Sequence, residues 1–82
     1  MKIRFIKDLA LEGIDARTGK KCQTLYKARS EYPLYSGPEY KAEEVITPSS
    51  IVENTSMLLL DVGEELPTML CNIPNDCFEV VQ

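Results

Sequence analysis

The chain has no histidine and no tryptophan, only three cysteines, and no basic residue after Lys41. Without histidine there is no imidazole to act as general base, and Ser49 and Ser50 have no recognisable base partner. No glycine-rich phosphate loop is present, and the adjacent Glu43 and Glu44 would point to opposite faces of a strand, so the sequence offers no catalytic constellation. Cys22, Cys71 and Cys77 fall short of the four Cys or His ligands of a structural zinc site. The residues therefore imply no metal and no cofactor. An odd cysteine set behind an N-terminus without a signal-peptide pattern points to free thiols in a reducing cytoplasm, packed as small apolar residues. No run approaches the apolar length of a membrane span.

What is present suits one folded domain over residues 1–82, with 44% hydrophobic residues and a net charge of -4. The charge is unevenly spread. All nine basic residues lie at or before Lys41, beside five acids, whereas eight acids and no base follow. In one small domain the two halves interleave, so part of this charge offsets itself and part could form an acidic face.

Short apolar runs separated by turn residues dominate the chain, which predicts an all-β fold. Residues 2–7 alternate Ile3 and Phe5 against Arg4 and read as a first strand. Residues 8–21 mix Leu9, Leu11 and Ile14 with Gly13 and Gly19. Asp8 could cap a helical turn there, but Gly13 argues against a long helix, so a long connection is expected. Residues 21–29 are favoured as strand by Thr24 and Tyr26, against the helix formers among their neighbours. Pro33, Gly37 and Pro38 make residues 30–41 an exposed excursion. Residues 43–46 should run extended into Pro48, Ile51 and Val52 should form a short strand, and residues 57–60 a central buried one. After a turn at residues 61–65, residues 66–73 return, with Cys71 and Ile73 on one side. Residues 74–77 should make a tight or 3₁₀ turn, and residues 78–81 a last strand with Phe78 and Val80 inward.

The closing Ile73-Pro74-Asn75-Asp76-Cys77-Phe78-Glu79-Val80-Val81 resembles the C-terminal end of SH3-like barrels, and the preceding Leu-Leu-Leu-Asp-Val-Gly-Glu-Glu resembles a hairpin of small SH3-like proteins encoded by bacteriophages. The resemblance covers roughly the last third of the chain. It implies a small SH3-like barrel of five to six strands with a 3₁₀ turn before the last. It also marks a difference: Cys77 stands at the position of the groove tyrosine of proline-binding SH3 domains, and the paired tryptophan is absent, so the polyproline groove is not expected.

Function is then expected from binding. Tyr32, Tyr35 and Tyr40, with Leu34 between them, give one loop three large amphipathic rings, the residue type enriched at interface hot spots. Glu43 and Glu44 follow and could steer a basic partner. Alternatively the rings fold back and cap a small core that lacks tryptophan. By resemblance, the partner would be a host protein modulated or inhibited by a phage accessory protein in the host cytoplasm. A structural or self-assembling subunit is a second expectation, with the oligomeric state left open.

Nucleic acid forms a third class, approached from two sides. Arg17, Lys20, Lys21, Lys27 and Arg29, with Tyr26 among them, could touch phosphates. The acids Glu43, Glu44, Glu53, Asp61, Glu64, Glu65, Asp76 and Glu79 could instead imitate them. A sequence pI near 4.7 argues against phosphate contact.

Overall fold

The computed structural model describes residues 1–14, 17–63, 65 and 67–82. The expected roles of Asp15, Glu64 and Leu66 thus lie outside the described residues. Among the described residues the fold is all-β, with eight short strands and a single helical turn. The strands are β1 (Lys2–Phe5), β2 (Leu9–Ile14), β3 (Lys21–Tyr26), β4 (Glu31–Pro33), β5 (Ile46–Pro48), β6 (Thr55–Leu60), β7 (Thr68–Pro74) and β8 (Phe78–Val81), with α1 (Ala42–Val45) ahead of β5. They form three antiparallel sheets, ordered β4-β1-β8, β2-β3 and β5-β6-β7. No sheet closes on itself among the described residues. No helix there is long and apolar enough to cross a membrane.

The centre is β6. Leu58, Leu59 and Leu60 are consecutive and all at most 1% exposed, which requires cover on both faces of the strand. β7 lies along one edge of β6. On the other edge β5 pairs with the first half, and residues 33–35 hold the second half through Tyr35 N–H to Leu59 C=O (3.0 Å) and Asp61 N–H to Pro33 C=O (2.9 Å). The same segment is bound from its other side, where Leu34 N–H donates to Met1 C=O (3.1 Å) and β4 pairs with β1 in the register Ile3 to Tyr32. Residues 33–35 therefore join the two three-stranded sheets.

That strand stands where an exposed excursion was expected. Pro33 and Pro38 forbid a helix, but a proline at a strand end costs only one donor, and the Pro33 carbonyl still accepts from Asp61. Residues 8–21 are likewise not a bare connection. Leu9 and Leu11 alternate half-buried with exposed Ala10 and Glu12, and β2 pairs with β3 along its whole length, from Leu9 opposite Tyr26 to Ile14 opposite Lys21. Asp8 caps no helix; its Oδ1 accepts from Ala28 N–H at 2.7 Å and closes the base of this hairpin.

Four further local expectations are corrected. Residues 42–45 make one helical turn rather than an extended run, because the Glu44 carboxylate accepts from Lys41 N–H (3.0 Å) and Val45 turns into the core. Ile51 and Val52 lie in an exposed turn, 91% and 42% accessible, whose amides bond to Ser49 Oγ. In β7, Asn72 has φ 55° and creates a bulge, so Leu70 and Ile73 face the core while Cys71 faces out. Val80 is 45% exposed, because β8 is an edge strand beside only β1, whereas Phe78 on the same side packs against the core.

The expected turn before the last strand is present: Cys77 N–H donates to Pro74 C=O at 3.0 Å. It is pinned by Ser56 Oγ–H to Asn75 Oδ1 (2.6 Å) and Asn75 N–H to Asn54 C=O (2.8 Å), so buried Ser56 is satisfied. In place of a tryptophan, Phe5, Tyr26 and Tyr32 form a closed aromatic triangle with centroids 5.0, 5.4 and 5.7 Å apart. Opposite charges meet over β1 and the residues that follow it, and two of the pairs, Arg4–Glu79 and Lys7–Asp76, join the two halves of the chain. Arg4 forks between Glu31 and Glu79, Lys2 reaches Glu31 at 2.7 Å, and Lys7 reaches Asp76 at 3.1 Å.

Candidate tyrosine cleft

Backbone alternation divides the three tyrosines between two jobs. Tyr32 and Leu34 share the inward side of the segment that carries β4, and Tyr32 completes the aromatic triangle with Phe5 and Tyr26. Tyr35 points the other way. Its ring meets that of Tyr40 edge to face, with centroids 5.6 Å apart and planes 85° apart. The two rings, with Leu34, Val45, Ala42, Ser36 and Met1, line a cleft of about 230 Å³.

Local sequence explains how the cleft is held. Pro38 and Gly37 turn the chain sharply after β4 and bring Tyr40 back over Tyr35. A Cβ on Gly37 would collide with the Tyr35 ring, so residue 37 must be glycine while that ring stays where it is. α1 then drops Val45, 3% exposed, into the cleft floor. Both rings are half-buried, with one side against the core and one toward the opening.

The structure thus brings together Leu34, Tyr35 and Tyr40 but separates Tyr32 from them. Glu43 and Glu44 are exposed on α1, directly after the cleft residue Ala42. The Glu44 carboxylate caps the turn, whereas that of Glu43 has no hydrogen bond among the described residues. The sequence pointed to neither Val45 nor Gly37. A buried valine in a one-turn helix carries no periodic signal, and the glycine is explicable only through a ring two residues away.

Among the remaining candidate groups, the three cysteines are free thiols as expected, but two of them are not packed. Cys22 and Cys71 are exposed free thiols, not packed apolar residues; only Cys77 is buried, and burial together with the neighbouring Asp76 charge pushes its thiol pKa up. Among the described residues no group of three Cys, Asp or Glu is placed to hold a metal ion. Tyr26 is 8% exposed and its pKa is raised by burial, so it offers no face for base stacking beside Lys27. Of the acidic set, Asp76 and Glu79 are already paired with Lys7 and Arg4.

No family model, no curated protein and no solved structure matches the chain.

Proposed function

We propose that this chain is an SH3-like barrel serving as a non-catalytic protein-binding module, an accessory protein of the phage type that modulates a host protein in the cytoplasm. The barrel assignment is supported by the backbone order β8-β1-β4-β6-β7 through residues 33–35, by the long hairpin between β1 and β4, and by the turn that precedes β8.

The binding assignment is carried by the Tyr35–Tyr40 pair. Two edge-to-face rings over an aliphatic floor form a preset slot, which lowers the ordering cost of binding, and the carboxylate of Glu43 beside it favours a partner bearing Lys or Arg. An aliphatic side chain flanked by a base is the partner element that fits. Rim charge of this kind speeds encounter, while the buried anchor sets the dissociation rate.

The test is affinity isolation of tagged chain from a host lysate, followed by a binding constant for the purified pair. One stoichiometric protein, retained at high salt and lost with Tyr40→Ala while circular dichroism is unchanged, is the expected result. Recovery of nucleic acid released by salt would move the protein to the nucleic-acid class. Recovery of the chain alone, with a larger mass on sizing chromatography, would move it to the self-assembling class.

A further inference from the structure

A second apolar hollow, beside the β2-β3 hairpin, lies outside the tyrosine cleft and shares none of its residues. It has a volume of about 420 Å³ and runs between β2 and β7. The two strands contribute consecutive residues, 11–14 of β2 and 68–71 of β7, whereas β3 contributes the alternate residues Cys22, Thr24 and Tyr26. Consecutive lining means that a strand presents its edge; alternate lining means that it presents a face. The hollow is therefore a slot between two strand edges with a side-chain floor. Among the described residues β2 pairs only with β3, and β7 only with β6, so both edges facing the slot carry unpaired peptide groups.

Two independent features single out this slot. Exposed edges are ordinarily guarded by charge, proline or a bulge, and β7 has such guards only outside the slot: Pro67 before it, the Asn72 bulge and Pro74 after it. Within it, Thr68, Met69, Leu70 and Cys71 are all uncharged, and Met69 is 52% exposed. The second feature is Gly13. Its φ is not in the left-handed region, and a Cβ there would meet nothing closer than Cys22 Sγ at 3.8 Å. The fold itself does not require glycine at this position, and glycine in a strand costs stability. Its bare backbone instead leaves room for a chain arriving from outside.

We propose that this slot binds an extended segment of a partner protein by strand addition, inserted between β2 and β7 and hydrogen-bonded to both. The segment carries small or aliphatic side chains at alternate positions, directed onto Leu11, Tyr26 and Leu70, and acidic residues at the end that passes the hairpin tip. There Lys20 and Lys21 stand exposed, and Lys21 lines the narrow continuation of the slot with Glu12, Gly13 and Ile14, so the two lysines outweigh the single carboxylate of Glu12. The inserted strand links the β2-β3 hairpin to the β5-β6-β7 sheet.

The test uses an eight-residue peptide of alternating Val and Thr flanked at both ends by aspartates. Its counterparts are the same peptide flanked by lysines and the aspartate peptide N-methylated at every second residue. The aspartate peptide should bind, N-methylation should weaken it by about tenfold or more through loss of backbone donors, and the lysine version should bind less well at low salt. Amide exchange at residues 11–14 and 68–71 should slow on binding. Gly13→Val, which suits a strand better than glycine, should abolish binding without lowering the melting temperature, while Tyr40→Ala should leave it unchanged, so the slot and the tyrosine cleft are tested separately. The proposal is overturned if no peptide of the panel binds with a Kd below about 1 mM, if the N-methylated peptide or Gly13→Val binds as the parent does, or if Gly13→Val instead dissolves a dimer. That last result would make the slot a contact between copies of the chain.

Discussion

Truncating Tyr32 should unfold the protein at a much lower temperature, whereas truncating Tyr40 should not. Tyr32 meets two rings, Phe5 at 5.7 Å and Tyr26 at 5.4 Å, both nearly edge on. Each such contact contributes about 0.5–1.5 kcal/mol beyond area burial, and the buried part of the ring adds about 1–2 kcal/mol at 25 cal/mol per Å². Tyr32→Ala is therefore expected to cost about 3 kcal/mol, against a total of about 4–12 kcal/mol for a chain of this size. For a domain of this length that lowers Tm by about 12–24 °C. Tyr40 has one ring neighbour and closes a cleft rather than a core, so Tyr40→Ala should cost about 1 kcal/mol, or about 4–8 °C. Tyr32→Phe keeps the ring, and the Tyr32 hydroxyl has no hydrogen-bond partner among the described residues, so it should stay within about 0.5 kcal/mol of the parent. Thermal unfolding followed by circular dichroism measures all three. A Tyr32→Ala shift below about 5 °C would mean that this ring is not part of the core, and the inward assignment of β4 would fail with it.

The Gly37→Ala variant should remain folded but push the Tyr35 ring off Tyr40, and so weaken partner binding about as much as Tyr35→Ala does; equal affinity for variant and parent would show that the ring's position does not matter. In the folded protein a thiol reagent should label Cys22 and Cys71 quickly and Cys77 only on unfolding, since Cys77 is buried and its pKa is raised; fast modification of all three would contradict the packing of the turn before β8. Acid should destabilise through the carboxylates over β1. Hydrogen bonds from Lys2 and then Arg4 lower the pKa of Glu31, and one from Lys7 lowers that of Asp76. A depressed folded pKa contributes stability above the unfolded value, lost as pH falls through the folded one, so the loss should begin below about pH 4.3 and shrink in high salt. Glu31→Gln should flatten that acid limb, and an unchanged pH profile would show that the Arg4 fork contributes nothing measurable.

Strand content was legible in the sequence wherever apolar residues were continuous or alternated without interruption. Residues 57–60 read as a central buried strand, Ile3 and Phe5 as part of a first strand, and Pro74-Asn75-Asp76 as a turn, and the structure has all three. Breaker residues mislead where their partners make them harmless. Pro33 ends a strand whose remaining groups are bonded on both sides, and Gly13 sits in a strand supported by β3 across its full length. In β7 one asparagine with φ 55° shifts the alternation by a residue, so Cys71 faces solvent although spacing from Ile73 put it inward. Bulges leave no reliable mark in a single sequence, because the bulged residue is selected by backbone conformation rather than by polarity.

The tyrosine loop shows most clearly what composition alone could not resolve. Three rings within nine residues suggest either an interface or a capped core, and the structure divides them, with Tyr32 packed on the core and Tyr35 and Tyr40 lining a cleft. Strand periodicity is the physical reason. Once residues 31–35 are extended between β1 and β6, residues two apart must share a face, so Tyr32 and Leu34 turn toward the core and Tyr35 is sent to the opposite side, where the turn through Gly37 and Pro38 returns Tyr40 to it. The strand that joins the two three-stranded sheets therefore also fixes the position of the cleft. Any substitution that shifts its register by one residue would exchange the two sets, exposing Tyr32 and Leu34 and burying Tyr35, so the fold and the proposed docking surface should be lost together there. Changes confined to Glu43, which lies beyond that strand, should affect binding alone, and truncation of Tyr40 should weaken binding at only the small cost in stability of one lost ring contact.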